Sequence, residues 1–230
     1  MRAGEVIGEA WDAYKEHFTH LVPIAFVVYV LIALLTLLLV ILLGVAGAFV
    51  GFFIGIAGVF WLQGALVVAI EDVRDGRADL SLGETLSRVR PQLNTLTLAG
   101  ILAALGVGLG LLLLIVPGLI LWTWWLVIVP VIMLEGTGVT AAFGRSRELV
   151  RGHGWSVFGV LVLTILILIA VDVVFGVVAA GFDNVVIALL LDIASQTLTA
   201  PFIALAWTLT YFRLRGLEQP PTEPSAEFAA

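Results

Sequence analysis

Two carboxylates, Asp172 and Asp192, stand inside long apolar stretches in the last third of the chain. An ionisable group at membrane depth costs roughly 2.5–3.5 kcal/mol to insert, so such groups are candidates for function by default. Gln196 follows Asp192 on the same helical face, and Thr199 flanks that face. The pattern predicts a candidate intramembrane polar site of these four residues, suited to a proton or cation relay.

A second interpretation places both carboxylates near the outer lipid headgroups. A helix from 155 to 180 would be about 39 Å long, which exceeds the roughly 30 Å thickness of the hydrocarbon core. Each carboxylate would then be hydrated and would carry no special role. The spacing alone leaves open whether Asp172 and Asp192 face each other or the headgroups.

Other reactive groups in the sequence assemble into no recognisable centre. His17, His20 and His153 are residues that bind zinc, but no fixed spacing links the third to the first two, and solvated histidines are the expectation. The chain has no cysteine. It also lacks a nucleophile elbow, a phosphate loop and a metalloprotease motif. We therefore expect no enzymatic activity, no metal and no cofactor.

Composition identifies the environment that must hold these side chains. The 230 residues are 61% hydrophobic and only 12% charged, with a mean hydropathy of +1.15, whereas soluble domains are about 25% charged. A soluble, disordered or fibrous protein is excluded. The net charge of −6, without a basic block, excludes a nucleic-acid partner. The lipid bilayer is the expected partner, and a homo-oligomer or another membrane protein is an open one.

The apolar runs predict an all-α polytopic membrane bundle, because a span needs about 20 apolar residues. Six transmembrane helices form three hairpins, with turns near Gly44, at Pro117-Gly118 and at 181–184. The predicted spans are 21–43, 45–70, 93–115, 119–134, 155–180 and 190–212. Helix four is short and contains Pro130, so we expect it to kink there. The tryptophans Trp122, Trp124 and Trp125 are expected to anchor it at the headgroups.

The basic residues predict the orientation of the bundle. All eleven lie before the first helix, after the sixth, or in the second and fourth connections, and none lies at a hairpin turn. They are Arg2, Lys15, Arg74, Arg77, Arg88, Arg90, Arg145, Arg147, Arg151, Arg213 and Arg215. The positive-inside rule makes these segments cytoplasmic. We expect a multi-pass protein of the plasma (cytoplasmic, inner) membrane with both termini inside.

Each hairpin is preceded by a short amphipathic segment, predicted as an interfacial helix over 4–18, 81–90 and 138–151. Ser81 and Glu84 form a capping box at the start of the second. Residues 1–217 are thus expected to form a single membrane domain. The tail 218–230, with three prolines and three glutamates, is expected to be disordered.

Small residues predict where helices approach closely. Gly44, Gly47, Gly51, Gly55 and Gly58 share one face of helix two in a repeated GxxxG pattern, which allows backbone contact with a neighbouring helix. We expect Gly47, Gly51 and Gly55 to pack within the chain, with a dimer contact as the alternative.

A second packing prediction concerns the third amphipathic segment. Arg145 and Ser146 are expected to satisfy carbonyls at the inner end of helix four, beyond the Pro130 kink. Pairing of Arg145 with Glu135 or Glu148 is the alternative, as is attraction to an anionic leaflet.

One block of residues resembles a known family. It comprises Pro117, Gly118, Pro130, Glu135, Arg145, Ser146, Gly152 and Trp155, and the chain closes with Tyr211, Leu214 and Arg215. The block resembles six-helix bacterial and archaeal membrane proteins of unassigned function, which include the membrane domain fused to some glycerophosphodiester phosphodiesterases. The resemblance implies the membrane architecture. It implies no hydrolase activity here, because the soluble barrel and its carboxylate metal site are missing.

Two functions are consistent with these features. The first is a non-catalytic scaffold or lipid-associated membrane module, which explains the packing glycines and the few buried polar groups. The second is a small-solute or ion transporter that uses Asp172, Asp192 and the break that Pro201 introduces in the last helix. The presence of a polar path across the bundle would favour the transporter, and its absence would favour the scaffold.

Overall fold

The computed structural model describes residues 2–74 and 80–218, and these ranges are almost entirely helical, without a strand. The helices are α1 (Ala3–Glu16), α2 (Phe18–Leu43), α3 (Val45–Arg74), α4 (Leu82–Val89), α5 (Leu93–Leu113), α6 (Ile115–Trp124), α7 (Ile128–Glu135), α8 (Val139–Val150), α9 (Gly154–Ala180) and α10 (Val185–Glu218). A 3-10 turn, Arg90–Gln92, joins α4 to α5. Arg77 and positions 219–230 of the predicted tail lie outside the described residues.

Six helical segments are long and apolar enough to cross a membrane. They are α2, α3, the segment Gly83–Leu113, the segment Ile115–Glu135 made of α6 and α7, α9 and α10. The predicted all-α polytopic bundle of six transmembrane helices is therefore confirmed. The three short helices α1, α4 and α8 precede the three hairpins, and α4 begins with the predicted capping box of Ser81 and Glu84.

Pro117 and Pro130 each lie just after the beginning of a helix. The turn between α5 and α6 falls at Leu114, so the predicted turn at Pro117-Gly118 is wrong. The fourth membrane-spanning helix is also interrupted at 125–127, before α7, instead of kinking at Pro130. Pro117 and Pro130 are each the third residue of their helix. A first-turn N–H has no acceptor within its helix, so proline loses nothing there.

The glycine face of α3 packs against α2 along part of its length. Gly44 makes the turn between the two helices with φ +58°. A Cβ on Gly47 would overlap the backbone carbonyl of Leu39, and a Cβ on Gly51 would lie 2.8 Å from Thr36 Cγ2. Gly55 has nothing within 4 Å of an added Cβ. The close approach is therefore made at Gly47, Gly51 and Gly58. Gly55 lies in open space between them, so the expectation for Gly55 is wrong.

The buried core occupies only part of the bundle. It is formed mainly by the end of α3, the start of α9, the segment from Leu126 to Ile132 and the second half of α10. The remaining lengths of α2, α5 and α9 expose large apolar side chains such as Leu31, Leu109 and Val177. Such a surface is untenable in water and suits contact with lipid.

The first amphipathic helix, α1, is docked on α9 and α10. Its apolar residues Val6, Ala10 and Tyr14 are buried. The Tyr14 hydroxyl donates a hydrogen bond of 3.0 Å to the carbonyl of Leu198, in the turn before Pro201. Arg213, near the end of α10, pairs with Glu9 on the polar side of α1 at 2.6 Å. Val6, Ala10 and Tyr14 are thus covered by protein, whereas Trp11 on the same side of α1 is 51% exposed.

Candidate functional site

A cavity of about 430 Å³ lies between α2, α3, α6, α9 and α10. All four residues of the predicted polar site line it, together with ten others. The lining consists of Tyr29, Val59, Gln63, Trp122, Thr164, Ile165, Leu168, Asp172, Asp192, Gln196, Thr199, Ala200, Ile203 and Trp207. We call it the carboxylate cavity.

The two carboxylates stand at the exposed rim of this cavity. Ser195 Oγ donates a hydrogen bond of 2.5 Å to Asp172 Oδ1, and Gln196 Nε2 donates one of 2.6 Å to Asp192 Oδ2. Asp172 on α9 and Asp192 on α10 are each about 14–17 Å of helix from Asp183 in the connecting turn. The side chains are accessible, yet both carboxylates belong to one cavity rather than to separate surfaces.

Neutral polar side chains lie deeper in the carboxylate cavity. Gln63, Thr164 and Thr199 are only 8%, 2% and 7% exposed. The two threonine hydroxyls donate to carbonyls of their own helices, and their oxygens remain able to accept. The Gln63 amide has no hydrogen-bond partner among residues 2–74 and 80–218 and lines the cavity. This amide can therefore donate to, or accept from, a bound molecule or water in the cavity.

Three aromatic rings complete the wall. Tyr29, Trp122 and Trp207 line the cavity from three different helices. The Trp207 Nε1 atom is buried and has no acceptor within the described part of the chain. The faces of such rings attract cations, with tryptophan the strongest. Trp122, expected from the sequence to anchor the helix at the headgroups, thus also lines this cavity.

Five polar or aromatic residues of the site are not predicted from the sequence pattern, namely Tyr29, Gln63, Trp122, Thr164 and Trp207. Gln63 carried the clearest signal, because it is the one amide in a charge-free run of α3. The aromatic residues carried none, since rings are common on lipid-facing surfaces and in cores alike.

A second polar cluster joins α7, α8 and α10. Arg145 Nε donates to Glu135 Oε2 at 3.0 Å, and both terminal nitrogens of Arg145 bind Glu218 at 2.6 and 2.8 Å. The fully buried Tyr211 donates to Glu135 Oε1 at 3.0 Å. The hydrogen bonds that Arg145 donates to Glu218, and then the one that it donates to Glu135, raise the pKa of Arg145 above its ordinary value. Arg145 therefore binds carboxylates, and the predicted docking on carbonyls is wrong for this residue, whereas the alternative pairing with Glu135 is confirmed.

Ser146 contacts the end of α6, before the interruption at 125–127, whereas Arg145 contacts Glu135 at the end of α7. The Ser146 hydroxyl donates a hydrogen bond of 2.7 Å to the carbonyl of Trp124, the last residue of α6. A carbonyl is satisfied, as expected, but it lies before the break at 125–127 and not beyond Pro130. Glu218, assigned to the disordered tail by the sequence, instead ends α10 and binds Arg145.

The remaining residues of the family-like block shape the backbone. Gly152 turns the chain between α8 and α9 with φ +86°, a left-handed conformation that favours glycine. A Cβ on Gly118 would lie 2.5 Å from the backbone nitrogen of Leu111, so α5 and α6 touch there. Trp155 is 88% exposed. No residue of the block lines the carboxylate cavity.

Comparison with known proteins adds no ligand to this geometry. No family model matches the chain, and neither a curated protein nor a solved structure matches it. Among the described residues, no group of three or more acidic, histidine or cysteine side chains assembles as a metal site. The carboxylate cavity, with negative charge at its rim and rings and amides in its wall, is suited to holding a small cation by charge and by aromatic faces.

Proposed function

We propose that this chain is an integral membrane protein that binds a small organic cation in the carboxylate cavity and carries it across the membrane. One observation supports this most: Asp172 and Asp192 share a cavity of about 430 Å³ with three aromatic rings and the unpaired amide of Gln63. Small-molecule sites have volumes of about 300–1,000 Å³. Ammonium groups are recognised by aromatic faces together with carboxylates.

The distribution of charge supports an orientation for this cavity. By the positive-inside rule, the basic residues of α8 and of the end of α10 favour a cytoplasmic position for those segments. The turn between α9 and α10, which holds Asp183 and no basic residue, is then external. The cation would enter from outside past the two carboxylates, and the plasma membrane is the proposed location.

Passage to the other side requires α10 to rearrange. Beyond Trp207 this helix is closed by packing, with Tyr211 and Leu214 at most 1% exposed. Pro201 lacks the N–H that would bind the carbonyl of Thr197, so the helix is weakest beside the cavity. The helix break expected at Pro201 is absent, because α10 is continuous from Val185 to Glu218, so the missing hydrogen bond provides a point of bending instead of a break.

Uptake into proteoliposomes tests the proposal with radiolabelled tetramethylammonium as the probe. We expect uptake above protein-free vesicles, and a loss of at least tenfold in Asp172→Asn and Asp192→Asn. Asp183→Asn is the matched control, because it removes one carboxylate from the same hairpin outside the cavity. Equal uptake by all four proteins, or none above protein-free vesicles, would contradict the proposal.

A non-catalytic scaffold or lipid-associated module is the second candidate. It is favoured by the large exposed apolar surface on α2, α5 and α9 and by the tight closure around Glu135 and Arg145. The same experiment separates the two functions. A folded wild-type protein that neither takes up tetramethylammonium nor is stabilised by it supports the scaffold.

A further inference from the structure

An apolar groove lies between α6 and the beginning of α9, separate from the carboxylate cavity. Its volume is about 690 Å³. Val116, Leu119 and Ile120 form one wall, while Trp155 and Phe158 form the other. Val116 is 66% exposed and Ile120 is 43% exposed, so the groove is open along its length. An apolar channel of this kind on a membrane helix pair is suited to an acyl chain.

A basic depression adjoins the groove at Trp124, which lines both. The second depression has a volume of about 570 Å³, and Gly144, Arg147, Glu148 and Arg151 line the rest of it. The guanidinium of Arg147 lies over the ring of Trp124, 4.4 Å from its centroid. Positive charge and apolar surface therefore meet at one tryptophan.

The two arginines of this depression are not neutralised by the protein. Neither Arg147 nor Arg151 forms an ion pair with any carboxylate in the described ranges. The one carboxylate nearby, Glu148, lies 3.8 Å from Arg145 and is paired with it. Both free arginines are exposed. The depression thus offers two positive charges to an external anion.

We propose that this surface binds an anionic phospholipid of the cytoplasmic leaflet. The phosphate lies between Arg147 and Arg151, and one acyl chain follows the groove past Trp124 towards Val116. Charge complementarity selects an anionic headgroup, because each basic residue near such a leaflet contributes about 1 kcal/mol of attraction. The exposed indole of Trp155 lies at the groove edge, where tryptophan favours the headgroup level.

Lipid binding to the purified full-length chain in detergent tests this site by native mass spectrometry. The probes are phosphatidylglycerol, phosphatidylcholine and inorganic phosphate. We expect phosphatidylglycerol to bind best and the double variant Arg147→Gln/Arg151→Gln to weaken it by roughly thirtyfold. The matched control is Arg2→Gln/Arg88→Gln, which makes the same change of charge at exposed positions elsewhere.

A second variant tests the groove without changing charge. Ile120→Trp fills the channel and should weaken phosphatidylglycerol binding several-fold, while Val173→Trp on the exposed side of α9 should not. Equal binding of phosphatidylcholine, or no difference between the two arginine double variants, would overturn the proposal. Phosphate that competes fully with the lipid, together with an inert Ile120→Trp, would show an anion site instead of a lipid site.

Discussion

Alanine substitutions along the glycine face of α3 give a graded test of how this bundle packs. At Gly47 the added Cβ would overlap the Leu39 carbonyl and lie 2.9 Å from the backbone nitrogen of Val40. Backbone atoms cannot rotate away, so α2 and α3 must separate by on the order of 1 Å to restore ordinary contact. Such overpacking destabilises by about 1–3 kcal/mol. At Gly55 nothing lies within 4 Å, and alanine gains up to about 1 kcal/mol of helix propensity.

Gly51→Ala should fall between these two variants. Its nearest neighbour is a methyl group of Thr36 at 2.8 Å, a side chain that can adjust. Thermal unfolding in detergent measures the series, and a difference of 2 kcal/mol corresponds to roughly 4–8 °C for a chain of this length. The expected order of unfolding temperature is Gly47→Ala below Gly51→Ala below Gly55→Ala. A Gly47→Ala protein as stable as Gly55→Ala would refute the packing of α2 on α3.

Three further predictions concern the polar contacts and the topology. Arg145→Met should lower the unfolding free energy by about 1–2 kcal/mol, because it leaves partly buried carboxylates unpaired, whereas Arg147→Met should have little effect; chemical denaturation distinguishes them. Tyr14→Phe removes the hydrogen bond to Leu198 and should cost about 1 kcal/mol in the same assay; no change would exclude a contribution from this bond. In intact cells, a single cysteine in place of Asp183 should react with an impermeant thiol reagent and one in place of Arg147 should not; the reverse pattern would contradict the orientation.

The membrane architecture is predictable from the sequence for a simple physical reason. A run of about 20 apolar residues is stable in a bilayer as a membrane-spanning helix. The turn at Gly44 is predictable because glycine tolerates a positive φ. Proline is less informative. A proline can follow the end of a helix or lie in the first turn of one. Pro117 and Pro130 therefore indicate that a break is near, but not whether it lies before or after the proline. The breaks lie before them, at Leu114 and at 125–127.

The carboxylate cavity is only half predictable. Asp172, Asp192 and Gln196 stand out because polar groups are rare in apolar helices. The rings of Tyr29, Trp122 and Trp207 do not stand out. A helix that is apolar on every side has no amphipathic periodicity, so its rotation about its own axis is set by packing alone. The sequence therefore does not show that α2, α6 and α10 turn these three rings towards the same cavity, and the structure does.

The central claim, a water-accessible cavity that prefers cations, is tested most directly by cysteine modification. The chain has no cysteine, so Ile203→Cys places a single thiol in the cavity, and Asn184→Cys in the external turn is the control. We expect a trimethylammonium methanethiosulfonate to modify Ile203→Cys much faster than its sulfonate counterpart, and we expect the added Asp172→Asn and Asp192→Asn substitutions to remove the preference. The control should show little preference. Equal rates for the two reagents at Ile203→Cys, or an unreactive thiol there, would contradict the claim.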